Sequence, residues 1–508
     1  MHTNQLLSLL RERAPDTIAV RDGDHLVTVG DLLERSGQLA AGLQQLGVVS
    51  GDMAVLAAKP DAGFIALVYA AMRCGLRLAV IDPEMGRDNY REKLRQLAPQ
   101  WAFVDTRLLL LQEHAWLRRL YFRFSKKGLY FPPKEGLRIV STGPRLPLRQ
   151  AHTPLRKLFA DPLPETGSHP QPADTEFLIT YTSGTTQEPK GVVHSLGALQ
   201  AGILQIAALL REGNNRRIAT HLPYFALIGI NAGVEAHLWH YESSALEKLR
   251  FIEKNDITTL FSPPCDYLPL MAYCEQQGRQ LPACLQHLFF GSAPVHRAFL
   301  ERLLPLLPEH VRLTCLYGMT ENLLVAAIDG REKALLPTHA GDVLGRPVPG
   351  TVLKIAEDGE ILLYSPQTYS RYLHQAQREP WHASGDLGYL DAEGRLVLTG
   401  RKKDMIIRRN FNLYPGLYEP TLNRIPGVTE CAFIGIYDAA QHDEKVILVV
   451  ETHQPLTVSA LQKALEYGPY SIDREAWPDK IVLATLPRKG RQSKVDKVAL
   501  RGHFGAIQ

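Results

Sequence analysis

With 508 residues, 45% of them apolar and 22% charged, the chain is long enough to bury one large core and a smaller one, and length alone allows about two to four domains. The net charge of +4 is too small for a protein that coats a polyanion, so no nucleic-acid partner is expected, and no apolar run reaches the roughly eighteen residues of a membrane-spanning helix. Six cysteines (Cys74, Cys265, Cys274, Cys284, Cys315 and Cys431) show no C-x-x-C pair and no histidine at metal-ligand spacing, which argues against a zinc site and a disulfide framework. With no basic cap or long apolar core in Met1-His2-Thr3-Asn4-Gln5-Leu6, a cytoplasmic protein with free, mostly buried thiols is expected.

Strand-like runs at 53–58, 77–82 and 101–105 alternate with helical patterns at 62–74 and 87–97, which predicts βαβ units and a mostly parallel sheet covered by helices. Residues 116–157 then hold eleven Lys or Arg against one acid, Glu135, interleaved with Trp116, Tyr121, Phe122, Phe124, Tyr130 and Phe131. Such a segment could touch a membrane surface or an acidic partner, or be a solvated insertion whose aromatics pack underneath. The second reading is preferred, because charge runs usually mark exposed faces and Pro132-Pro133 interrupts any long helix. Seven prolines in 141–175 form a linker-like approach to the strand 177–179. A second alternating block covers 196–316, with strands at 217–221, 258–261 and 287–290. In 341–398, Pro347, Pro349, Gly350, Gly359 and Gly394 space out brief β-runs, predicting a small antiparallel subdomain. After Asp404 come strands at 431–436 and 445–451 and a helix at 458–467, so the boundary is placed at 401–404, giving domains 1–403 and 404–508.

Residues 179–194 read Ile-Thr-Tyr-Thr-Ser-Gly-Thr-Thr-Gln-Glu-Pro-Lys-Gly-Val-Val-His. Thr182, Ser183, Thr185 and Thr186 offer hydroxyl donors, Gly184 admits close approach of an anion, and Lys190 adds a point charge, a set suited to a polyphosphate. The run is not the P-loop of ordinary NTPases, because Gly191 rather than Ser or Thr follows the lysine. Alone it could be a polar turn. Further on stand Tyr317-Gly318-Met319-Thr320-Glu321, Gly385-Asp386-Leu387-Gly388-Tyr389, Gly400-Arg401-Lys402-Lys403-Asp404 and Lys494, in that order. Together with the first run, and with Gly47, Gly51-Asp52 and Gly75 in 18–83, they resemble the adenylate-forming superfamily of acyl- and aryl-CoA synthetases, luciferases and adenylation domains over nearly the whole chain.

That resemblance implies an α/β fold: a large N-terminal domain with two mostly parallel helix-covered sheets and a small β-rich subdomain, then a small mobile α+β lid. It implies ATP and Mg²⁺ as cofactors, a small carboxylic acid as substrate, and CoA or carrier-protein phosphopantetheine, hence a possible acyl carrier protein, as acceptor. The 182–186 hydroxyls and Lys190 would cradle the triphosphate, Glu321 would hold Mg²⁺ and Thr320 would meet the α-phosphate. In isolation Thr-Glu is a helix N-cap pattern. Asp386 matches the ribose-binding aspartate, Arg401 a further nucleotide donor and Tyr317 a stacking face for adenine, with Gly318 beside it and Gly291-Ser292-Ala293 lining the other side. Lys494 matches the lid lysine that touches both carboxylate and α-phosphate, and Asp404 the hinge, whereas Lys402 and Lys403 are expected to be solvated linker charges.

Several positions depart from the family pattern. Gln187 and Asn410 stand at glycine positions, Leu417 replaces a glutamate while Glu419 is kept, and Ser493 replaces a glycine in a loop one residue longer. The acid pocket is expected at Tyr224, Phe225, Ala226, Leu227 and Gly229, apolar enough for a fatty or aryl acid, although such residues equally suit the core of a buried helix. The Phe-Ala-Leu run is similar to the β-lactone synthetases of olefin biosynthesis. The sequence therefore predicts an AMP-forming acid ligase, with a β-lactone synthetase or an inactive acyl-adenylate-binding scaffold as alternatives.

Overall fold

The strands Met53–Ala57, Arg77–Val80 and Trp101–Asp105 read as unbroken apolar runs because both faces of their sheet are covered. Ala54 and Leu56 enter one core with the helix Ala62–Cys74, while Met53 and Val55 enter another with Tyr90, Leu94 and Leu97 of the helix Arg87–Leu97. In this computed structural model, residues 5–58, 61–81, 87–124, 136–149, 151–159, 171–181, 190–239, 243–337, 341–408, 411–438, 443–472, 474–489 and 493–505 are described. These three strands and Glu176–Tyr181 pair in parallel within an eight-stranded sheet, as the alternating pattern predicts.

Among the described residues a second sheet has thirteen strands. Arg217–Thr220, Glu235–Leu238, Thr259–Ser262, His287–Phe290 and Arg312–Met319 form its parallel part. The hairpin of Arg312–Met319 with Asn322–Asp329 then reverses direction. The expected antiparallel strands of 341–398 are present, but they extend this same sheet, because Asp342–Pro347 pairs onto Asn322–Asp329 at Ala326↔Pro347 and Ala327↔Arg346. Covering that strand edge removes a row of unpaired backbone groups. All six cysteines are free, four of them buried, and among the described residues no helix is long and apolar enough to cross a membrane.

Beyond Arg401 the chain leaves the large sheet. It builds a three-stranded sheet from Val428–Asp438, Asp443–Thr452 and Lys480–Leu483, with its own core around Phe433, Val446, Leu448 and Leu461. The helix Val458–Glu466 begins at Thr457, whose hydroxyl accepts from Ala460 N. Arg424 reaches Glu301 of the large domain at 3.5 Å, and Arg501 of the last helix holds Asp404 at 3.1 Å.

The reversing hairpin tolerates no side chain at Gly318, where a Cβ would lie 2.0 Å from the Leu323 carbonyl oxygen. Gly318→Ala is expected to cost about 1–3 kcal/mol by overpacking, read as a lower denaturation midpoint. Gly502→Ala, inside the last helix where a Cβ meets nothing within 4 Å, serves as the contrast and is expected to hold or raise that midpoint.

Candidate active site

The strand Glu176–Tyr181 leads into the hydroxyl-rich run and Gly191–Ser195 returns antiparallel to it, with Tyr181 opposite Gly191, so Lys190 stands exposed where the run closes. Thr182, Ser183, Gly184, Thr185, Thr186 and Gln187 lie outside the described residues, as does Asn410. The Lys190 ammonium sits 4.8 Å from the centre of the Tyr372 ring, and the Tyr372 hydroxyl donates to Glu321 Oε1 at 3.0 Å. Burial and the nearby Glu321 charge push the Tyr372 hydroxyl pKa up, so it keeps the proton it donates.

Backbone bonds fix this arrangement. The short strand Arg371–Tyr372 pairs with Val193 and Val192, Leu373 N donates to Gly191 O at 2.7 Å, and Tyr369 N donates to Glu321 O at 2.8 Å. The buried Thr368 hydroxyl donates to Asn322 Oδ1 at 3.0 Å. Thr320 and Glu321 therefore occupy the turn between Arg312–Met319 and Asn322–Asp329, and they open no helix. His194 is buried and hydrogen-bonded to the Thr320 backbone; burial lowers its pKa to about 4, so its ring is neutral at ordinary pH. Among the described residues no cluster of three metal-ligating side chains exists. A lone, oriented carboxylate suits Mg²⁺, which takes one or two protein oxygens and completes its shell with phosphate and water.

The nucleotide side is built from facing strands. Asp386 lies directly across from Arg401, whose Nε is 3.0 Å from Oδ1, and the Tyr317 hydroxyl donates to Oδ2 at 2.5 Å. Asp386 is 1% exposed, and Oδ1 has an ion-pair neighbour but no aligned hydrogen bond. A buried acceptor left open in this way fits a ribose hydroxyl. Following His287–Phe290, Gly291 lies over the Phe261 ring and Ser292 adopts φ of +67°, a left-handed conformation that costs a non-glycine residue roughly 1 kcal/mol and is frequent at ligand clamps.

Lys494 arrives from the C-terminal domain on a short strand paired with Arg488–Lys489. Burial first, then Arg401 and Lys403, lower its pKa to about 8, with Asp386 opposing. Lys403 is likewise lowered to about 8, by desolvation, Arg401 and Lys489, while its side chain stays exposed, as the sequence suggested. Lys402 does face outward, paired to Asp358 at 2.6 Å and Glu360 at 2.8 Å. Three cations thus converge beside one buried carboxylate, a balance that an anionic ligand would complete.

A model of the AMP-binding enzyme family matches residues 10–373. The chain belongs to the AMP-binding enzymes. A 4-chlorobenzoate–CoA ligase of Arthrobacter sp is 26% identical over 539 aligned positions, covering 99% of this chain and 95% of that protein. An olefin beta-lactone synthetase of Stenotrophomonas maltophilia is 28% identical over 528 positions, covering 91% and 90%. The solved amide bond synthetase McbA of Marinactinospora thermotolerans shares the fold, with a TM-score of 0.80, 21% identity and 99% of each chain covered.

As an AMP-binding enzyme the protein works on ATP with Mg²⁺, and its residues fit both. The structure divides the residues expected at an acid pocket. Ala226 is fully buried and Leu227 5% exposed, both within the core, and Gly229 faces the sheet, where a Cβ would meet Ile218 Cγ2 at 2.6 Å. Helix-on-sheet packing takes these three, and at the head of the helix Pro223–Ala232 Phe225 joins the same core while Tyr224 is half-buried beside it. Phe225 stacks on Phe261 with ring centres 3.6 Å apart, next to Gly291. Sequence reasoning missed Tyr372, Tyr369 and His194. Two tyrosines three apart in a polar stretch were the only signal, and nothing local names Val192 as the pairing partner.

Ser493, in place of a glycine, adopts φ of +55° beside Lys494. Ser493→Gly is expected to gain about 0.5–1 kcal/mol by relieving left-handed strain, measured as a higher denaturation midpoint at unchanged slope.

Proposed function

We propose that this enzyme activates an apolar carboxylic acid, fatty or aryl, as its acyl adenylate and passes the acyl group to the thiol of CoA or of carrier-protein phosphopantetheine. The convergence of Arg401, Lys403 and Lys494 beside Asp386 carries this reading, since three cations around one buried carboxylate suit a ligand rich in negative charge. In the first step a carboxylate oxygen attacks the α-phosphorus of ATP and the bond to the β-phosphate oxygen breaks, releasing pyrophosphate. Lys190 binds phosphate, and Glu321, oriented by Tyr372, would hold the Mg²⁺ that neutralises phosphate oxygens. Asp386 and Tyr317 seat the nucleoside, and Lys494 stabilises charge that develops between carboxylate and phosphate. In the second step a thiol sulfur attacks the acyl carbon, AMP leaves and the thiol proton passes to solvent. Asp404, held by Arg501, is the proposed hinge that frees the lid between the steps. The aromatic pair Phe225 and Phe261 favours an apolar acid, and the CoA-ligase relatives favour a thiol acceptor.

A second reading, formation of a β-lactone from a β-hydroxy acid with no thiol, is favoured by the similarity to olefin beta-lactone synthetases. The Tyr224 hydroxyl, buried without a hydrogen-bond partner, is a group that a polar atom on such an acid could satisfy.

Acid-dependent exchange of pyrophosphate into ATP across a panel of fatty, aryl and β-hydroxy acids is expected to select an apolar acid, and added CoA to yield its thioester. AMP and lactone without thiol would establish the second reading, and no exchange with any acid would mark an inactive scaffold. Lys494→Ala is expected to slow adenylation about 10²–10³-fold with little change in ATP affinity, because its contact is made mainly in the transition state. A lowered lysine pKa disfavours the docked, charged form, so docking of the C-terminal domain releases a proton between about 8 and the ordinary 10.5 and strengthens as pH rises through that window. The reaction needs the charged form, so single-turnover adenylation is expected to fall above an apparent pKa of about 8, shifted upward by bound anions, and Lys494→Arg removes that limb. A limb that persists in the arginine variant would assign it to another group.

A further inference from the structure

The helix Ala115–Phe124, Ala-Trp-Leu-Arg-Arg-Leu-Tyr-Phe-Arg-Phe, has no part in the site described above. Its aromatics were expected to pack underneath a charged surface, but Trp116 is 65% exposed and Leu120 48%. The two lie one helical turn apart, so they form a single apolar stripe on the solvent side. Arg119, also exposed, and Arg118 flank that stripe, and from His114 to Lys134 the sequence carries six Lys or Arg and no acid. The exposed residues Leu335, Val49 and Tyr467 have no such basic setting.

We propose that this helix docks the enzyme on an anionic lipid surface. A tryptophan beside a leucine suits the boundary between headgroups and acyl chains, and the acid-free run of arginine and lysine complements negative headgroups. An acidic protein surface would satisfy the arginines but offers no matching phase for the apolar stripe. The docking stands on the helix alone and holds whichever acid or acceptor the site uses.

Co-sedimentation of the full-length enzyme with phosphatidylcholine vesicles, with and without phosphatidylglycerol, tests the proposal. Binding is expected only with phosphatidylglycerol, with a blue shift of tryptophan emission and loss of binding as salt is raised past the screening range. Arg118→Glu with Arg119→Glu is expected to weaken binding roughly tenfold or more. Trp116→Ser with Leu120→Ser is expected to abolish the blue shift, with adenylation of a water-soluble acid and thermal midpoint unchanged in both variants. Equal binding to both vesicle types, no binding to either, or full binding by the Trp116→Ser, Leu120→Ser variant would overturn it. So would capture of acyl carrier protein, in place of vesicles, that the arginine reversals abolish.

Discussion

The site depends on a short crossing segment, Thr368 to Leu373, that is bonded to both sheets at once. At one end Thr368 and Tyr369 hold the turn of the larger sheet through Asn322 and the Glu321 carbonyl; at the other, Arg371 to Leu373 pair with the strand that follows the phosphate run. Two elements that share no strand pairing among the described residues are thereby locked in register, with the His194 bond to the Thr320 backbone beside them, and the Tyr372 ring falls between the lysine of one and the carboxylate of the other. Because backbone hydrogen bonds fix the distances, the cation and the metal-type carboxylate are positioned before any ligand arrives. Such preorganisation means that little rearrangement has to accompany the reaction.

Charge supplies the second constraint. Arg401 and Asp386 face each other across neighbouring strands, an arrangement fixed by sheet register, and the carboxylate is almost wholly buried. Onto this pair the C-terminal domain brings Lys494, while Lys403 stands at the junction and helps to depress it. An anionic nucleotide would relieve the repulsion among these cations.

Much of this was legible in the residues. Apolar runs of four to six residues between amphipathic segments gave the parallel strands, because burial on both faces leaves no room for polar alternation. The ordered motifs at 182–191, 317–321, 385–389, 400–404 and 494 carried the resemblance to a family that the matching AMP-binding model bears out. Other features were not legible. That the strands of 341–398 extend the parallel sheet rests on two residue pairs, Ala326 with Pro347 and Ala327 with Arg346, and no local pattern encodes them. Ala226, Leu227 and Gly229 read equally as pocket or core, and only the packing of their helix on Ile218 separates the two.

The sequence by itself determined the inventory: which elements form, which side chains can hold phosphate, ribose and metal, and that a cationic, aromatic segment interrupts the first domain. Periodicity and residue chemistry act locally, so they survive without knowledge of the partner strand. The tertiary structure decided the conjunctions, among them Tyr372 between Lys190 and Glu321, Lys494 beside Arg401, Ser493 in a glycine-like conformation, and Trp116 turned outward. Each of these depends on contacts between residues far apart in the chain or on which face of an element is left uncovered, and both are set only when the whole chain packs.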